Sequence, residues 1–141
     1  MAEGWTIRRL GPGDEGLIGE GGYLFDGPPI AAETARFLAG NDSFLWFALV
    51  EGKPAGFVSA VRMRHPDKQP SLFIDELGVD EAYRRRGIAT ALMETAVAEA
   101  RALGCEAAWV AAEGDDELAI AFYESMSGKS ARMARVFEWS A

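Results

Sequence analysis

The chain has 141 residues, a length that favours one domain (1–141). Folding at that size buries roughly 68–70% of the unfolded surface, so a core needs neither disulfide nor metal. A net charge of -8 disfavours nucleic-acid binding, which requires a basic footprint, and suits a small cationic partner instead.

Trp5 to Leu10 alternates and predicts a first strand, closed by the turn Gly11-Pro12-Gly13-Asp14. Asp14 to Gly21 predicts a short helix. Gly27-Pro28-Pro29 breaks the chain before a helix over Ala31–Ala39 that ends at Gly40. Phe44–Val50 and Ala55–Met63 read as strands joined by Glu51-Gly52-Lys53-Pro54, a hairpin signal. A polar loop, His65 to Pro70, leads to a strand over Leu72–Val79, giving three antiparallel strands in a row.

The best helix spans Gly87–Leu103, with Ile88, Leu92, Ala96, Ala100 and Leu103 on one stripe and Gly104 at the C-terminal cap. Ala107–Ala112 predicts a short buried strand, Leu118–Met126 a helix and Arg132–Trp139 a closing strand. This order predicts an α+β fold with a mixed sheet. The longest apolar run, Phe44–Val50, is too short to span a bilayer. Met1 to Trp5 lacks a basic region followed by an apolar stretch, so no secretory signal is expected and the expected compartment is the cytoplasm. The sequon Asn41-Asp42-Ser43 then carries no weight. A single cysteine, Cys105, excludes an intrachain disulfide and a cysteine metal cluster, and no metal is expected.

Chemistry concentrates where the strand ending near Val79 passes through Arg84-Arg85-Arg86-Gly87 into the long helix. The first amides of a helix lack intrahelical partners, and with the helix dipole they form an anion site. Gly87 and Ala89 keep that entrance small, and the arginines add charge. The glycine patterns of a Rossmann turn and of a P-loop are both missing.

Arg84-x-x-Gly87-x-Ala89, after Leu77-x-Val79, resembles the coenzyme A motif of the GNAT superfamily of acetyltransferases. The resemblance implies a mostly antiparallel mixed sheet whose fourth and fifth strands splay, with acetyl-CoA as acetyl donor. It implies contacts to the acetyl and pantetheine groups from Leu77, Gly78 and Val79. It places the pyrophosphate against Arg84, Arg85, Arg86, Gly87, Ile88, Ala89 and Thr90. Ala119-Ile120-Ala121-Phe122-Tyr123 is similar to the family's A-x-x-F-Y helix, where the tyrosine protonates the leaving thiolate; a half-buried aromatic anchor is the plainer alternative. A glycine at Gly128 comes late for that pattern, and the phenylalanine expected after it is missing.

Acetyl transfer to an amine is helped by a carboxylate that takes the proton and attracts the cation. Asp75-Glu76 lies late in an apolar strand, where charge is costly to bury. Alternation sends the two acids to opposite faces, unless a bulge intervenes. Phe73 to Val79, the turn to Leu92, Gly114-Asp115-Asp116 and Leu24-Phe25 together resemble the aminoglycoside 3-N-acetyltransferases. By that resemblance Glu76 is the base or amine-binding acid, with Asp75 second; Asp75 stands where that family has a tyrosine. Asp115, Asp116, Phe25 and Asp26 line the acceptor site, and the protein is a homodimer. Helix N-terminal acids are the alternative for Asp115 and Asp116. His65 reads as a loop residue and Cys105 as a core residue. Acetylation of another cationic amine, such as a polyamine or lysine side chain, and a non-catalytic acyl-CoA-binding module remain open.

Overall fold

Val50 and Lys53 pair across a two-residue loop in which Glu51 and Gly52 both take left-handed angles, φ 51° and 80°. That geometry matches the twist of the strands it joins, and the predicted hairpin forms there. In the computed structural model, which describes residues 4–126 and 132–141, the hairpin is the middle of a five-stranded sheet. The elements in order are β1 (Thr6–Arg9), α1 (Glu15–Glu20), α2 (Ala31–Ala39), β2 (Ser43–Val50), β3 (Lys53–Met63), β4 (Ser71–Val79), α3 (Ile88–Ala102), β5 (Ala107–Val110) and α4 (Glu117–Ser125). A single 3-10 turn, Gly22–Leu24, precedes α2, and another, Glu81–Tyr83, follows β4.

The chain forms two compact units, Met1–Ala111 and Ala112–Ala141. In the first, the strands lie in the order β1-β2-β3-β4-β5, antiparallel except for the parallel β4–β5 pair. The fold class expected from the sequence is the one observed. Helix α3 packs on β3 and β4 through Ile88, Leu92, Met93, Ala96 and Ala100, which are all buried. It ends in a Schellman cap: Cys105 N donates to Ala100 O, Gly104 N donates to Arg101 O, and Gly104 is left-handed at φ 74°.

A second apolar cluster joins Leu10, Ile18, Leu38, Leu45, Phe47 and Phe57, with Leu24 and Phe25 packed against it. This seats the segment between α1 and α2 on the sheet. A Cβ at Gly21 would lie 2.7 Å from the fully buried Phe47 ring and 3.1 Å from Pro54 Cβ. Gly21→Ala is therefore expected to lose about 1–3 kcal/mol of stability, as overpacked sites do, measured by urea denaturation.

The predicted closing strand over Arg132–Trp139 is not formed. Residues 132–141 run as exposed irregular chain, with Met133 and Trp139 96% and 85% exposed. Alternation prepares a face for burial, but a strand also needs a neighbouring backbone to pair with, and the local pattern does not name one. The late glycine Gly128 lies outside the described residues.

Candidate active site

β4 pairs with β5 only as far as Ile74, opposite Val110; from Asp75 to Val79 it runs on with no β5 partner. The two strands thus part where the chemistry-bearing residues begin. The register with β3 slips at the same place. Ile74 lies opposite Ala60 and Glu76 opposite Ser59, which leaves Asp75 as the extra residue of a bulge.

Strict alternation does not apply across that bulge, so the expected division of Asp75 and Glu76 between opposite faces fails. Asp75 Oδ1 accepts a hydrogen bond from Ser59 Oγ at 2.9 Å, and Ser59 is the cross-strand neighbour of Glu76. Ser59 escaped the sequence reading. Its one signal is a lone hydroxyl inside the apolar run Phe57-Val58-Ser59-Ala60-Val61.

Ser59 and Phe57 share a face of β3, being two residues apart. The Phe25 ring meets Phe57 edge-on at 4.8 Å and 80°, and lies 6.2 Å from Phe47. Asp26 follows directly. Burial first, then the charges of Asp75 and Asp26, push the Glu76 carboxyl above its ordinary value. Phe25, Asp26, Asp75 and Glu76 are thus brought together. Gly78 lets the insert approach, since a Cβ there would stand 2.9 Å from the Phe57 ring and 3.7 Å from Leu24 O. Leu77 and Val79 pair with Val58 and Gly56.

Past β4, Asp80 N donates to Ala55 O at 2.8 Å, and Asp80 Oδ1 accepts from Ala82 N at 3.0 Å, capping the second 3-10 turn. Arg84 Nε donates to Val79 O at 3.3 Å, and the Arg86 guanidinium lies 5.1 Å from the Tyr83 ring centre. Arg85 and Gly87 are both left-handed, at φ 64° and 85°. The first helical bond of α3 runs from Ala91 N to Gly87 O, and no side chain caps this end. The amides of Ile88, Ala89 and Thr90 precede that bond and have no acceptor within the helix. The buried Ile88 side chain fixes their direction.

A left-handed arginine costs roughly 1–2 kcal/mol, a penalty that glycine escapes. Arg85→Gly is expected to be more stable than Arg85→Ala by about that amount, which urea denaturation checks.

In the second unit, Asp116 caps α4, its Oδ1 accepting from Ala119 N at 3.0 Å, so that oxygen has a structural task. Asp115 stands just before the cap and is exposed. Burial, then the Asp116 charge, raises the Tyr123 phenol above its ordinary value, so it keeps its proton at neutral pH. Phe122 tilts against Tyr123 at 5.2 Å.

In the first unit, His65 lies in the loop between β3 and β4. Burial is the main cause that raises the half-buried Cys105 thiol, making a nucleophilic thiolate scarce. Among the described residues, no group of three or more His, Cys, Asp or Glu is placed to hold a metal ion. No helix among them is long and apolar enough to cross a membrane.

The profile of the Acetyltransferase (GNAT) family matches residues 20–128, well over half of the chain. The chain belongs to the GNAT family. No curated protein matches it.

Solved structures that share the GNAT fold with this chain include three acetyltransferases. One is an aminoglycoside acetyltransferase from an uncultured soil metagenomic sample, in complex with sisomicin. It is 22% identical, with a TM-score of 0.91 over 98% of this chain and 97% of that one. A second aminoglycoside acetyltransferase from an uncultured soil metagenomic sample is 26% identical, with a TM-score of 0.80 over 99% and 100%. The aminoglycoside N-acetyltransferase AAC(6')-Iy in complex with CoA is 18% identical, with a TM-score of 0.81 over 97% and 95%.

Proposed function

We propose that this GNAT protein transfers the acetyl group of acetyl-CoA to an amine of an aminoglycoside, at the 3-amino position by its resemblance to the 3-N-acetyltransferases. One observation carries the reading. The acids Asp75 and Glu76 stand on the stretch of β4 that β5 leaves unpaired, and this stretch leads into the amides that open α3.

The donor is acetyl-CoA. Its pyrophosphate suits the α3 amides with Arg84, Arg85 and Arg86, and the Leu77–Val79 backbone suits its pantetheine arm. Glu76 takes the proton of the incoming amine, directly or through water. The amine nitrogen bonds to the thioester carbon, the carbon–sulfur bond breaks, and Tyr123 supplies the proton to the departing thiolate. Asp75, Asp26, Asp115 and Asp116 attract the cationic acceptor, and Phe25 gives it an apolar wall. The family match begins in the first compact unit and continues to residue 128 in the second, which supports one catalytic domain over residues 1–141. A cytoplasmic homodimer belongs to the same reading.

The acids read charge before they read shape, so a polyamine or a lysine side chain is the second reading. A panel of amines separates the two. The expected product is a monoacetylated aminoglycoside by mass, with NMR placing the acetyl on the 3-amino group. Turnover of polyamines with aminoglycosides inert would overturn the acceptor. Acetylation at the 6'-amine would overturn the position alone.

A further inference from the structure

Tyr23 lies in the 3-10 turn Gly22–Leu24, two residues before Phe25 and three before Asp26. It was not among the residues the sequence singled out. Its hydroxyl lies 2.7 Å from Pro54 O and 3.0 Å from Asp80 Oδ2, and it donates to that pair of acceptors. Both lie far from it in the chain: Pro54 is the second residue of β3 and Asp80 follows β4.

Asp80 is a junction. One carboxylate oxygen faces Tyr23, the other accepts from Ala82 N, the Asp80 amide donates to Ala55 O, and the Asp80 carbonyl accepts from Tyr83 N. These bonds set the 3-10 turn Glu81–Tyr83. Arg84 to Gly87 continue from that turn into the first amides of α3. A shift of Asp80 is therefore passed along a short, tightly bonded path to those amides. Tyr23 is 59% exposed, but partial desolvation at its hydroxyl end, then the bond to Asp80, pushes the phenol up to about 12, so it is a donor throughout the neutral range.

We propose that Tyr23 is a positioning residue, which through Asp80 ties the acceptor-side insert to the turn that holds the coenzyme pyrophosphate. The proposal rests on the cofactor assignment above, and it is independent of which amine is acetylated. It gives Tyr23 a place in coenzyme binding although its side chain belongs to the insert that carries Phe25 and Asp26.

The test is a double-mutant cycle of Tyr23→Phe and Asp80→Asn, read by calorimetric titration of acetyl-CoA at a temperature where all four proteins are folded. Tyr23→Phe is expected to weaken acetyl-CoA binding several-fold and at most about tenfold, because the bond is present in the free protein and its loss acts only by populating mispositioned forms of the turn. It should add little in the Asp80→Asn background, because the partner is already altered. The acceptor KM should rise with the acetyl-CoA KM while kcat moves less.

A merely structural tyrosine would lower the melting temperature and leave coenzyme affinity of the folded protein unchanged, which overturns the proposal. So does an equal loss from Tyr23→Phe in both backgrounds. Wild-type protein that binds no acetyl-CoA overturns the cofactor assignment itself, and the proposal with it. Wild-type protein that binds acetyl-CoA but acetylates no aminoglycoside overturns the acceptor reading alone; the cycle then still decides for or against Tyr23.

Discussion

Glu76→Gln is expected to lower kcat by about 10²–10⁴-fold, the usual contribution of a positioned general base, while acetyl-CoA affinity changes little. Glutamine keeps the size of the side chain and its place opposite Ser59 but accepts no proton. The same substitution should raise the melting temperature slightly, since Glu76 is exposed and solvent screens much of its charge. The folded-state pKa of Glu76 is raised, so the group's contribution to stability is fully present below the unfolded value and is lost as pH rises through the folded one. At neutral pH the charged carboxylate therefore opposes folding, chiefly through its desolvation and then through Asp75 and Asp26.

Activity has the opposite sign. The free enzyme's kcat/KM should rise with pH along an acidic limb set above the ordinary glutamate range, and Glu76→Gln should abolish that limb. A variant that lost coenzyme affinity and kcat together would place Glu76 in binding instead.

Thr90→Glu is the second large effect, and it separates fold from function at the helix entrance. Thr90 is exposed in the first turn of α3, so a longer side chain meets no packing. An acid there is favoured by the helix dipole, and stability should rise by about 0.3–1 kcal/mol. Acetyl-CoA affinity should fall by about a hundredfold, since two like charges some 5 Å apart repel by roughly 3 kcal/mol at an effective dielectric of about 20. Urea denaturation and calorimetry read the two halves. Unchanged coenzyme affinity would sink the assignment of the pyrophosphate to these amides.

What the sequence revealed was local. Gly52 takes a left-handed angle without penalty and marks the hairpin turn, and the stripe from Ile88 to Ala100 with Gly104 behind it specifies α3 and its cap. The turn from Arg84 to Gly87 was legible for the same reason: its arginines, Gly87 and the helix start are contiguous. What escaped depends on residues distant in sequence. The bulge at Asp75 is a property of two strands, visible only once Ser59 and Ala60 face β4. Tyr23 gains its meaning from Pro54 and Asp80. Asp116 is a local case: the alternative of an acid at a helix N-terminus was open from the sequence, and its cap of α4 agrees with it. The strand expected over Arg132–Trp139 had the right pattern, but no neighbouring ladder supports it among the described residues.

The bulge at Asp75 also bears on how such a site can change. On either side of it, Ile74 remains opposite Ala60 and Leu77 opposite Val58. The bulged residue therefore carries an additional carboxylate without displacing the apolar side chains of the core. Removing it would restore a regular ladder and leave Glu76 opposite Ser59. Gain or loss of that one residue therefore changes the charge beside Glu76 while the hydrophobic register stays as it is.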